Sequence, residues 1–171
     1  MHTDDWLLLC RTVRFGDTDA AGVMHFVRLL DWCHQAYEES LERFGIEAAS
    51  LFPQPGQRPA VALPIVHCSA DFRRPLHCGD PLAIRLETRR LDPSCFEVSY
   101  RFSRTLAGTS PQTNNPQTSN PQARRADPEP VASGLTRHLA IDALSRQRCS
   151  LPEPINRWLE ASGLGRGVQP L

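Results

Sequence analysis

The stretch VRFGDTDAAGVMHFVRLLDWCHQAYEESL, Val13 to Leu41, decides how this chain reads. Asp17 and Asp19 sit in a turn of small residues, and a periodic apolar run follows at once. From Phe26 the apolar positions fall at Phe26, Leu29, Leu30, Cys33, Ala36, Tyr37, Leu41 and Phe44, the spacing of one helix face. Gly45 supplies the stop, so a helix of roughly five turns is expected. Trp32 and Tyr37 on that helix are expected to pack in the core.

Acids ahead of a helix have three readings. An Asp there often caps the helix or closes an Asx turn, with no chemistry attached. A calcium loop needs ligands at fixed offsets. Asp17, Asp19 and Gly22 fit the first, third and sixth, but Ala21 stands at the fifth and Arg28 at the twelfth, where a bidentate Glu is required. Calcium is excluded. The third reading is a reactive carboxylate. Amide N–H groups at a helix start are unsatisfied and carry partial positive charge, so they can receive the oxygen of a polarised carbonyl. A carboxylate beside them can attack that carbonyl, or take a proton from a water that does. Spacing alone does not choose Asp17 over Asp19, nor name a substrate.

The remainder reads mostly as strand. Trp6–Arg14 is short and apolar, and Val61–Arg73 is apolar and partly β-branched, after a Pro- and Gly-containing loop at 52–60. Leu82, Ile84 and Leu86 alternate with polar or small residues, as do Phe96, Val98, Tyr100 and Phe102, and Leu91–Ser94 (LDPS) reads as the hairpin turn between them. A last strand is expected at Val131–Asp142 and a short helix at Ile155–Ala161, ending at Gly163. Residues 108–130 read as a hairpin-tip insertion: PQTNN, PQTSN, PQ is a five-residue repeat with almost nothing to bury, and disorder is expected there. The order is strand, long helix, then four strands in a hairpin-like meander. It argues for an α+β fold, with an antiparallel sheet bent around one central helix.

At 171 residues the chain is most simply one domain, 1–171. Its 19 basic and 19 acidic residues balance, which argues against a nucleic-acid surface. No apolar run reaches the roughly 20 residues of a membrane span. The N-terminus MHTDDWLLLC makes a poor signal peptide, and the six scattered cysteines form no CxxC pair. Reduced thiols in a cytoplasmic protein are therefore expected, with no structural zinc. His67 and His77 have no partner at metal-ligand spacing, and Cys68 has no nearby base that would make it a nucleophile.

FGDTDAAGVMHF, then the helix, then VALPIVHCSADFRRPLHCGDPL together resemble the hotdog-fold thioesterases of the 4-hydroxybenzoyl-CoA type. That family places an F-x-D-x-D-x-x-G turn before its central helix, and an F-x-R-P-like strand and a G-D turn after it. Asp71, Phe72, Arg73, Arg74, Pro75, Gly79 and Asp80 match the later pieces. The likeness runs from Trp6 to Gly163 apart from the insertion. RTVRFGDTDAAGVMHF, ALPIVHC, ADFRRP, RHLAI and INRWLEASG closely resemble the branch that hydrolyses 1,4-dihydroxy-2-naphthoyl-CoA in phylloquinone (vitamin K1) biosynthesis. Ala20 departs from the benzoyl enzymes, which carry proline there.

The resemblance implies a metal-free, cofactor-free thioesterase acting on an aromatic acyl-CoA. Asp19 takes the place of the catalytic carboxylate, and Asp17 and Gly22 support the turn. The N–H near Phe26 becomes the oxyanion donor, while His25 either faces the substrate ring or packs against a second subunit. Arg73, Arg74, Arg137 and His138 are candidates for the phosphates of coenzyme A, against the alternative that each is an ordinary solvated charge. A homodimer or homotetramer with active sites at the interface is implied as well. Two rivals stay open: a thioesterase for another aromatic or fatty acyl-CoA or acyl-carrier protein, and a hotdog module that binds an acyl-CoA without cleaving it.

Overall fold

Helix α2 spans Phe26–Phe44 and ends as expected, with Gly45 in the left-handed region. The Gly45 and Ile46 N–H groups close the last turn on Glu42 O and Leu41 O, at 2.9 and 3.0 Å. One face of α2 is buried: Leu29, Trp32, Cys33, Ala36, Tyr37, Ser40 and Leu41. Phe26, counted above with that face, lies at the exposed end of the helix.

The computed structural model describes residues 2–105 and 129–163. The other elements are α1 Asp4–Leu7, β1 Leu8–Thr12, β2 Val61–Ala62, β3 Ile65–Phe72, β4 Pro81–Asp92, β5 Cys95–Arg104, β6 Ala132–Leu139, β7 Ile141–Asp142 and α3 Glu153–Gly163. The insertion read at 108–130 lies outside the described residues, apart from Glu129 and Pro130.

The main sheet is antiparallel, in the order β1-β4-β5-β6-β3. Period-two burial selects its inner face. Leu82, Ile84 and Leu86 of β4 and Phe96, Val98, Tyr100 and Phe102 of β5 are all buried in the core with the apolar face of α2. Gly134 of β6 permits close approach of the helix: a Cβ there would stand 2.5 Å from Cys33 Sγ. This is the hotdog arrangement, a sheet wrapped around one central helix.

Four expectations are corrected in detail. The Trp6–Arg14 strand begins only at Leu8, because Asp4–Leu7 is a helical turn that buries Trp6 and lets its Nε1–H donate to Ser162 Oγ at 3.0 Å. Val61–Arg73 is two strands, β2 and β3, with Pro64 between them, and Val131–Asp142 splits into β6 and β7 at Ala140. β2 and β7 pair with each other in a separate two-stranded sheet. The meander is limited to β4-β5-β6, since β3 crosses the sheet to pair with β6 and becomes an edge. The β4–β5 hairpin turns at LDPS as read, with Asp92 Oδ1 accepting from Ser94 N at 2.7 Å.

Candidate active site

The loop ahead of α2 is built from local hydrogen bonds. Asp17 N donates to Arg14 O at 3.0 Å, and Arg14 N returns a bond to Asp17 Oδ2 at 2.8 Å. Arg28 Nε lies 3.7 Å from Asp17 Oδ1, and His25 N donates to Asp17 O at 2.9 Å. Asp17 thus ties the turn to the helix start. A second turn follows, in which Gly22 N donates to Asp19 O at 3.0 Å. Gly22 has φ 77°, a conformation a side chain would strain. Met24 N donates to Leu76 O, and the His77 ring lies 3.2 Å from Gly22 O, which ties the loop to the β3–β4 connection.

Neither acid caps the helix. The N-cap is His25, with extended backbone, and its Nδ1 accepts from Val27 N at 3.3 Å. The His25 ring stacks on Phe26, with centroids 4.6 Å apart. Asp19 closes an Asx turn, its Oδ1 accepting from Ala21 N at 2.8 Å. Among the described residues no hydrogen bond reaches Asp19 Oδ2, and none is made by Phe26 N–H at the first helical position.

A cavity of about 400 Å³ opens at this corner, lined by Asp19, Val23, Met24, Phe26 and the segment Phe72–Leu76. The structure brings Asp19, Phe26, Arg73 and Arg74 together on it. Arg74 lies 3.9 Å from Glu129, with both side chains solvent-exposed. Phe72 escaped the sequence reading as a site residue. Its signal was there in the period of two, which puts it on the same face of β3 as Ala70, paired with Gly134 of the core-facing row.

Arg137 and His138 do not reach the cavity. Arg137 Nε and a terminal nitrogen donate to Glu97 Oε1 at 2.9 and 2.6 Å, and Arg89 donates to the other oxygen at 2.6 Å. These arginines, Arg89 first, hold the buried Glu97 carboxyl below the usual range against the opposing effect of burial. His138 is a correction. It lies under α2 at 1% exposure, stacked on Phe96 at 4.7 Å and 4.5 Å from the Tyr37 ring. Its Nε2 shares a hydrogen bond with Thr136 Oγ1 at 3.0 Å. Burial, aided by nearby His34, pushes its pKa down to about 4, so it is a neutral core residue and not a phosphate ligand.

β3 borders the cavity as a sheet edge and leaves Ile65, Val66 and Phe72 substantially exposed. Phe26 and Val27 at the start of α2 are exposed as well. Among the described residues no helix is long and apolar enough to cross a membrane.

A sheet wrapped around a central helix, with a carboxylate residue and the first residue of that helix lining one cavity, fits the plan expected of a hotdog thioesterase. The chain belongs to the thioesterase-like superfamily, whose family model matches residues 13–159. It is 56% identical, over the whole of both chains, to the 1,4-dihydroxy-2-naphthoyl-CoA hydrolase of Synechococcus sp. strain CC9605. A crystal structure from Prochlorococcus marinus MIT 9313 is 49% identical, covers 95% of this chain and all of its own, and superposes with a TM-score of 0.78. The 1,4-dihydroxy-2-naphthoyl-CoA thioesterase from Synechocystis is 28% identical, covers 90% of this chain and 94% of its own, and gives a TM-score of 0.68.

Proposed function

We propose that the chain hydrolyses 1,4-dihydroxy-2-naphthoyl-CoA to 1,4-dihydroxy-2-naphthoate and coenzyme A, the thioester step of phylloquinone synthesis. The naming of full-length relatives for this reaction supports that substrate. The observation that carries the chemistry is the cavity that Asp19 shares with Phe26, the first residue of α2. A thioester carbonyl set there would direct its oxygen at the free Phe26 N–H and its carbon at Asp19 Oδ2. Charge growing on that oxygen is then met by an amide that needs no reorganisation. Asp19 either attacks the carbon, giving a mixed anhydride that water opens, or takes a proton from the attacking water. Both routes consume one water and release a carboxylate and a thiol. Oxygen-18 from labelled water enters the Asp19 carboxylate in a single turnover only by the first.

Arg73 and Arg74, which line the cavity, are the residues we assign to the phosphates of coenzyme A. Phe26 and Phe72 offer aromatic faces to a flat acyl group. Asp17 and Gly22 hold the loop. We assign the working form as a homodimer, or a pair of dimers, with β3 edges meeting and the cavity at the interface. The eight-residue edge and its exposed Ile65, Val66 and Phe72 support that assembly. We place it in the cytoplasm, where its cysteines stay reduced.

Thiol release from a panel of aromatic and fatty acyl-CoAs and acyl-carrier proteins tests the reading. Preference for the dihydroxynaphthoyl ester is the expected result. Preference for another acyl group would move the substrate, and tight binding without release would make this a binding module.

A further inference from the structure

Two histidines hold the loop at the start of α2, and they do so in opposite ways. The His77 ring meets a carbonyl, Gly22 O, so its Nδ1 must donate. Neutral imidazole and imidazolium can both carry that proton. His25 Nδ1 meets an N–H, that of Val27, so it must accept. Only an unprotonated Nδ1 can do this, with the proton of the neutral ring on Nε2. Three further contacts fix His25: its N–H donates to Asp17 O at 2.9 Å, its carbonyl accepts from Arg28 N at 2.8 Å, and its ring lies on Phe26. The residue that orients the Phe26 amide is therefore itself held by a hydrogen bond that protonation deletes.

We propose that His25, acting through its unprotonated Nδ1, is the positioning residue that holds the helix-start amides for thioester attack, so that turnover requires a neutral imidazole at this position. The proposal rests on the reading of the Asp19 cavity as the site of hydrolysis. Protonation of Nδ1 removes the acceptor, turns an N–H toward the Val27 N–H, and adds a positive charge where the helix already presents its positive end. The ring must then leave this position, and the turn that sets the Phe26 N–H loosens with it. The charged groups around the turn are Asp17 and Asp19 of the loop, Arg28 and Asp31 of α2, and Arg73, Arg74 and His77 from the β3–β4 side. Asp17 is engaged by Arg14 N and by Arg28, and His77 keeps its bond in either protonation state. Of the two histidines at the turn, only His25 loses its structural bond on gaining a proton.

The test is kcat against pH, from 5 to 9, for wild type, H25N and H25A on one aromatic acyl-CoA. Asn is a strong N-cap that carries no charge in this range. Wild-type kcat is expected to fall on acidification as Nδ1 of His25 takes up a proton. H25N should recover alkaline kcat to within about threefold and lack that limb, leaving only carboxylate titration below it. H25A should lose about tenfold to a hundredfold in kcat at alkaline pH, approach wild type as the medium turns acid, and keep KM within about twofold. An acid limb preserved in H25N, or a wild-type kcat in H25A at alkaline pH, overturns the proposal. If wild type releases no thiol from any acyl-CoA, the hydrolase reading fails instead. Imidazole ¹⁵N shifts then still read His25: an accepting Nδ1 with the proton on Nε2 at pH 8 supports its capping role, and an Nδ1–H tautomer overturns it.

Discussion

Ala21 N–H donates to Asp19 Oδ1 at 2.8 Å, so the carboxylate is anchored through one oxygen while the other makes no hydrogen bond among the described residues. The Asx turn occupies one oxygen and leaves the other open, so it does not compete with the reactive role proposed for Asp19. Asp19→Glu separates them. The charge stays, but the added methylene cannot keep the Ala21 bond and leave the free oxygen where it was. A misplacement of about 1 Å typically costs on the order of a hundredfold, so kcat should fall by about that factor with KM little changed. Steady-state kinetics on the preferred acyl-CoA checks this.

Removal of the cavity-rim arginines should weaken binding of coenzyme A and not chemistry. Arg73→Ala or Arg74→Ala is expected to raise KM about tenfold, the loss of one charge-assisted contact, with kcat within about twofold. Arg137→Ala should leave KM alone, because that guanidinium is occupied by Glu97, and should lower the melting temperature instead. Kinetics and thermal unfolding on the three variants distinguish the roles.

His138 predicts how stability responds to acid. Its pKa in the fold is pushed down to about 4 by burial and His34, against an ordinary 6.5. Between those values the unfolded chain takes up a proton that the folded chain refuses. Stability from this group is therefore complete above pH 6.5 and falls as pH drops toward 4, by about 3 kcal/mol. Urea unfolding at pH 7 and pH 5 should show the fall, and His138→Gln, though less stable at pH 7, should show a flatter dependence over the same window.

Gly134 and Cys33 should be coupled. Gly134→Ala drives a Cβ to within 2.5 Å of Cys33 Sγ and is expected to destabilise by about 1–3 kcal/mol. Cys33→Ala removes the sulfur. Burial, with Cys68 adding, pushes this thiol up to about 12, so the truncation removes volume and no charge. The double variant should therefore be more stable than the two single losses summed, by about 1 kcal/mol. Denaturant midpoints of the four proteins measure it.

Much of the scaffold was legible because it depends on local periodicity. The apolar face of Phe26–Phe44, the Gly45 stop and the β4–β5 alternation all report neighbours three, four or two residues away. The crossing of β3 to β6 was not legible, since any apolar run pairs equally well on paper with the strand that follows it. The breaks at Pro64 and Ala140 follow from a second small sheet that only the tertiary structure creates. At the site, the FGDTDAAG pattern pointed to Asp19, Asp17 and Gly22, but His25 as the helix cap was hidden, because Asp commonly caps and His seldom does. His138 misled for a plain reason. Next to Arg137 it reads as half of a basic pair, yet alternation along β6 sends the two side chains to opposite faces, one to Glu97 and the other beneath Tyr37.

In the proposed reaction one oxygen of Asp19 cleaves the thioester. Asp19→Asn isolates it, because Asn Oδ1 can still accept from Ala21 N–H and preserve the turn while charge and basicity are lost. Turnover of 1,4-dihydroxy-2-naphthoyl-CoA by this variant should fall by at least about a thousandfold, with a non-hydrolysable thioether analogue bound within about threefold of wild type. A variant that binds the analogue and retains most of the wild-type turnover would mean that Asp19 does no more than close its turn.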